Sequence, residues 1–111
     1  MKLTHEDQNE LTVMKLKGDL AKDEPDRFRH AALMRIDARV RDFVLDVSDL
    51  ESIDSQGLES LIWLDEQCAE RLGQVRLAGC QDHIHDVLKM TRLDGRFECC
   101  EDVETAIRSL G

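Results

Sequence analysis

The chain has 111 residues, a length that fits one domain, 1–111, with one core and no internal linker. Hydrophobic residues make up 41% against 35% charged, which is enough to build a core and unlike a disordered chain. The 15 Lys and Arg against 24 Asp and Glu leave a net charge of -9, which repels phosphate backbones and anionic lipid surfaces and argues against nucleic-acid and membrane partners.

A first strand across Lys2 to Glu6 is only faintly patterned. Residues 11 to 17 alternate apolar and polar over most of their length and stop at Gly18, which reads as a half-exposed strand and a turn. Acids and a proline at Asp23-Glu24-Pro25 mark a helix start, and Phe28, Ala31, Ala32, Ile36 and Val40 follow near helical spacing, predicting a helix from Pro25 to about Arg39. Phe43 to Val47 is short, β-branched and nearly all apolar, as expected of a central strand covered on both faces. Leu58, Leu61, Leu64, Cys68 and Leu72 repeat at three and four, predicting a second helix from Gly57 to Leu72 that Gly73 ends. Val75 to Ala78 reads as a strand, and Ile84, Val87, Leu88 and Thr91 mark a third helix that Gly95 helps to close. A short edge strand, Phe97 to Cys100, precedes a final helix lined by Val103, Ile107 and Leu110.

Strands alternating with helices after an initial hairpin predict an α/β fold: a mixed, mostly parallel sheet of four to five strands packed by about four helices. Sites in such sheets lie beyond the carboxyl ends of the strands, which points to the segment after Val47.

No apolar run approaches the roughly 20 residues that span a bilayer. Met1 to Glu10 is polar and lacks the apolar core of a signal peptide, so the protein is expected in the cytoplasm, without direct membrane insertion. Thiols are kept reduced there, so the four cysteines read as free: Cys68 as filler on an apolar helix face, Cys99 and Cys100 on opposite faces of a strand.

Phe43-Val44-Leu45-Asp46-Val47-Ser48-Asp49-Leu50-Glu51-Ser52-Ile53-Asp54-Ser55-Gln56-Gly57-Leu58 runs from an apolar strand through a polar spacer to Asp-Ser-x-Gly-Leu entering a helix. This stretch resembles the STAS domain, the sulfate transporter and anti-sigma factor antagonist family. Val87 to Phe97 is similar to that family's third helix and last strand, so the resemblance covers roughly residues 10 to 110. In the family's bacterial anti-sigma factor antagonists, the serine after the aspartate is phosphorylated by a partner that is both serine kinase and anti-sigma factor. The resemblance implies that Ser55 holds this position. It also implies a non-catalytic partner switch, in which the unmodified module captures the anti-sigma factor and phosphorylation breaks the capture.

The residues make physical sense of such a switch. Ser55 beside a helix start can cap an orphan amide, and a phosphate there would meet unpaired N–H groups and the positive end of the helix dipole. Gly57 is expected to let a partner backbone approach. The expected partner surface comprises Asp19, Asp54, Ser55, Gln56, Gly57, Leu58, Glu59 and Trp63. Three features depart from the family pattern. Gly18-Asp19-Leu20 is followed by Ala21 and Lys22 rather than an acid, Glu59 stands where a second glycine is common, and Gln56 replaces a frequent second Ser or Thr. They leave open a scaffold that never meets a kinase, such as an accessory subunit of a lipid-transporting ABC system or of a stressosome-like assembly.

Trp63 falls among Glu59, Glu66, Gln67 and Glu70, opposite the apolar stripe. It reads either as an interface anchor or as a ring folded over a neighbouring helix or into a weak homodimer contact. His83 and His85 lie two apart on a helix and point to different sides, and Cys80 precedes that helix by too little to complete a four-ligand set, so no metal is expected. No His, Lys or Glu is placed by a motif to activate Ser55 or a cysteine, and no glycine-rich phosphate loop is present, so neither catalysis nor a cofactor is expected.

Overall fold

The computed structural model describes residues 1–110. Lys2–Gln8 (β1) and Leu11–Leu20 (β2) form an antiparallel hairpin in which Gln8 faces Leu11. Asn9 turns it with φ 57°, a left-handed conformation that asparagine tolerates. Most of β1 is exposed, so it carries little apolar alternation of its own and is held by its pairing with β2.

The chain continues through Glu24–Asp37 (α1), Asp42–Ile53 (β3), Ser55–Glu70 (α2), Val75–Ala78 (β4), Asp82–Met90 (α3), Glu98–Cys100 (β5) and Val103–Leu110 (α4). The sheet order is β1-β2-β3-β4-β5, with every pair after the hairpin parallel, so β3 is central as expected. Period-2 alternation on β3 sorts the core. Phe43, Leu45 and Val47 face a large cluster with Phe28, Ala32 and Ile36 of α1, Leu61, Leu64 and Cys68 of α2, and Ile84 and Leu88 of α3. Val44 faces a smaller cluster with Ala78 and with Ala106 of α4. Three helices thus cover one face and α4 the other.

Two strands run further than their patterning suggested. Gly18 does not end β2: with φ 103° it sits between two register irregularities against β3, and the strand continues to Leu20. Nor does β3 end at Val47. Its polar second half pairs with Lys17 to Leu20, burying Leu50 on one side and leaving Ser48, Asp49, Glu51 and Ser52 exposed. Because β4 pairs only with Phe43 to Asp46, this second half projects with β2 as a two-stranded ribbon. Its outer edge is laced by the loop after β4 and the first turn of α3, where Gln81 Nε2 donates to the Ser48 carbonyl (2.6 Å) and His83 Nε2 meets the Glu51 carbonyl.

The helix ends also correct an expectation. Left-handed residues close α1, α2 and α3, but they are Arg39 (φ 69°), Leu72 (φ 61°) and Arg92 (φ 62°) rather than glycines. Each is followed by a residue whose N–H reaches back along the helix: Val40 to Arg35, Gly73 to Cys68, and Leu93 to Leu88. Gly73 is needed for a different reason, since a Cβ there would lie 2.0 Å from the Arg41 carbonyl oxygen. Gly95 faces open space.

Candidate functional site

The ribbon delivers the chain to α2. Ile53 pairs with Leu20, and the Asp54 N–H donates to the Leu20 carbonyl (3.3 Å). Asp54 is still extended (φ -101°, ψ -175°), which makes it the N-cap residue of α2. Its Oδ1 accepts from the Gly57 N–H at 2.9 Å and its Oδ2 from the Lys22 N–H at 3.0 Å. Lys22 reaches that position through a left-handed φ of 60°. One carboxylate therefore ties the β2–α1 loop to the first turn of α2.

Capping thus belongs to Asp54, and Ser55 is the first helical residue. Both are good caps by type, and the choice was decided by where β3 stopped. Ser55 is exposed, and its hydroxyl has no hydrogen-bond partner among the described residues. Ser52, three residues earlier, has one: its Oγ donates to Asp19 Oδ1 at 2.6 Å across the ribbon. Asp19 and Ser52 line a shallow groove with Ala21, Lys22, Asp23 and Glu24, so the structure brings Asp19 to the loop that Asp54 clamps.

Two N–H donors, Lys22 first and Gly57 second, hold the Asp54 carboxyl below the usual aspartate range. A depressed folded-state pKa contributes stability that is complete above the ordinary value of 3.8 and is lost as pH falls through the folded value. Asp54→Asn should therefore lower the Tm at pH 7, and its deficit against wild type should shrink on acidification toward pH ~2. Parallel thermal melts check this, and a deficit that is constant across that range contradicts the clamp.

The other expected partner residues take distinct positions. Gln56 and Glu59 are exposed, whereas Leu58 and Trp63 are half-buried and pack against the main core cluster. Trp63 thus presents only part of its ring. At 1.5 Å per residue it lies about 12 Å along α2 from Ser55. Gly57 is buried, and its missing side chain serves a contact within the chain: a Cβ would lie 2.2 Å from the Leu20 carbonyl oxygen and 2.7 Å from Ile53 Cγ1. Ser60 closes the same turn by donating to the Gly57 carbonyl at 2.6 Å.

The cysteines divide as the strand alternation predicts. Cys99 packs toward the three-helix face and Cys100 toward α4, while Cys68 is buried. Burial first, then the charges of Asp42 and Asp65, push the Cys68 thiol up to about 12. Unforeseen is the contact of Cys80 with Cys99, Sγ to Sγ 2.9 Å. The pairing of Leu77 with Cys99 that creates it is a tertiary register. The Lys22 clamp was equally hidden, since its donor is a backbone N–H 32 residues from Asp54. Among the described residues, no helix is long and apolar enough to cross a membrane.

With this geometry, the chain matches solved structures over nearly its whole length. The Thermotoga maritima protein TM1081 has 17% identity and a TM-score of 0.91, covering 97% of this chain and 93% of that one. The anti-sigma factor antagonist SpoIIAA in its unphosphorylated form has 19% identity and a TM-score of 0.86, covering 97% and 95%. The Bacillus cell fate determinant SpoIIAA in its phosphorylated form has 18% identity and a TM-score of 0.79, covering 99% and 100%. At these identities the likeness is one of fold. No match was found among curated proteins. The family model described as "Mlab, STAS domain" matches residues 3–104, nearly the entire length, and on that match the chain belongs to the STAS domain family.

Proposed function

We propose that this chain is an anti-sigma factor antagonist, a partner-switching module rather than an enzyme. It binds an anti-sigma factor with serine kinase activity through the surface around Ser55 and is released by phosphorylation there. The observation that carries the reading is the Ser55 hydroxyl: exposed, without a hydrogen-bond partner among the described residues, and fixed at the start of α2 by the Asp54 clamp. A kinase needs a hydroxyl it can reach, and a docking partner needs one whose position is set in advance. The proposed surface comprises Asp19, Asp54, Gln56, Leu58 and Glu59, with Gly57 shaping the first turn of α2 and Trp63 two turns further along that helix. The fold's likeness to SpoIIAA in both its unphosphorylated and phosphorylated forms supports a frame compatible with either state.

The same site also supports a second reading. Asp54 directly precedes Ser55, and Glu59 follows one helical turn later on the same side, so two carboxylates flank the acceptor. Asp54 already takes the Gly57 amide, so a phosphate would share the helix end with a negative charge instead of having it alone. This arrangement favours a scaffold that is never phosphorylated, such as an accessory subunit of a lipid-transporting ABC system or of a stressosome-like complex.

Incubation with ATP and the anti-sigma factor kinases of the source cell, followed by intact-mass measurement, separates the two. The switch predicts a gain of one phosphate on wild type and none on Ser55→Ala. Absence of the gain on a protein that still binds its partner supports the scaffold.

A further inference from the structure

We propose that Cys80 and Cys99 form a peroxide-reactive thiol pair that closes to an intramolecular disulfide. Cys80 lies in the link between β4 and α3, and Cys99 is the middle residue of β5. Their Sγ atoms are 2.9 Å apart, against ~2.05 Å in a disulfide, so closure requires sub-ångström movement of the sulfurs. Both side chains are half-buried, which leaves access for a small oxidant. The remaining thiols are placed differently: Cys68 is buried, and Cys100 packs on the opposite face of the sheet beside Val44, Ala78 and Ala106.

The surroundings assign the two roles. Contact with the Cys80 sulfur, together with a lesser contribution from His85 on α3, outweighs burial and lowers the Cys99 thiol to about 6. The same contact, with burial, raises Cys80. Cys99 is therefore the nucleophile and Cys80 the resolving thiol.

With hydrogen peroxide as oxidant, the Cys99 thiolate attacks one peroxide oxygen and the O–O bond breaks. The departing hydroxide takes up a proton as water, leaving Cys99 as a sulfenic acid. Cys80 then attacks the Cys99 sulfur, the S–O bond breaks, and hydroxide leaves with the Cys80 proton as a second water. In sum, two thiols and one peroxide give one disulfide and two waters, a two-electron oxidation.

The bridge ties the edge strand β5, which among the described residues pairs only with β4, to the loop and first turn of α3 that lace the ribbon through Gln81 and His83. It thus fastens the brace behind the strand that leads to Ser55.

The test uses the full-length reduced protein, exposed to hydrogen peroxide and then alkylated under non-reducing conditions. Wild type should lose two hydrogens, protect two of its four cysteines, and map to a Cys80–Cys99 peptide that dithiothreitol releases. The Cys68→Ser/Cys100→Ser double variant should behave the same way, and Cys80→Ser should form no internal bridge. The oxidised protein should melt on the order of 10 °C higher than the reduced one. Four alkylated cysteines after peroxide, a Cys99–Cys100 linkage, or only intermolecular bridges, in protein that circular dichroism shows to be folded, would overturn the proposal.

Discussion

Ser55→Asp is expected to weaken capture of the anti-sigma partner about a hundredfold, and enzymatic phosphorylation of Ser55 at least as much, because a loss of ~3 kcal/mol changes Kd by that factor. The added charge, about -1.5 to -2 for a phosphate, arrives on an exposed side chain. The Gly57 N–H in this first turn already donates to Asp54, so this end of α2 cannot fully absorb the new charge. Glu59 adds repulsion one turn away, and the chain already carries a net charge of -9. A partner surface fitted to a neutral hydroxyl must then desolvate that charge without a matching cation. Titration calorimetry of wild type, Ser55→Ala and Ser55→Asp against the partner gives the answer. Alanine should bind within a few-fold of wild type and aspartate should not, whereas equal binding by aspartate would remove the switch and leave the scaffold.

Gly57→Ala and Gly73→Ala should each destabilise the fold by ~3 kcal/mol or more, a large part of the ~5–15 kcal/mol that a domain of this kind possesses. In both cases the added methyl meets backbone rather than a side chain that can swing away. At Gly57 the obstacle is the Leu20 carbonyl oxygen at 2.2 Å, and at Gly73 it is the Arg41 carbonyl oxygen at 2.0 Å. Relief at Gly57 requires parting α2 from the end of β2, the junction that Asp54 clamps. Relief at Gly73 requires moving the chain just ahead of β3, where the Arg41 N–H donates to Glu10. Gly95→Ala is the control: nothing lies within 4 Å of its added Cβ, and its stability should stay within about 0.5 kcal/mol of wild type. Urea unfolding of the three variants reads the difference, and a Gly57→Ala protein as stable as Gly95→Ala would show that α2 does not sit against β2 as described.

The α/β class, the central place of Phe43 to Val47, Ser55 at a helix start and the apolar stripes of the four helices were legible in the sequence, except that Leu72, counted in the second stripe, lies beyond α2 and is exposed. Each of these is written locally, as a period of two or three to four, or as a short motif. Where polar residues continue a strand, local pattern says loop. Ser48 to Ile53 became strand only because Lys17 to Leu20 lies alongside to pair with it, with Leu50 as the sole inward side chain of the stretch to be fully buried. That extension then moved the cap from Ser55 to Asp54 and left the serine hydroxyl free. The glycines followed the same logic. Composition marks Gly18, Gly57, Gly73 and Gly95 alike, yet one permits an irregular strand register, two admit a neighbouring carbonyl, and one meets nothing. Which backbone passes close to which residue is a fact of packing between distant segments. The Lys22 amide at Asp54 and the sulfur of Cys80 at Cys99 belong to the same class, since each pairing exists only once the sheet has assembled in register.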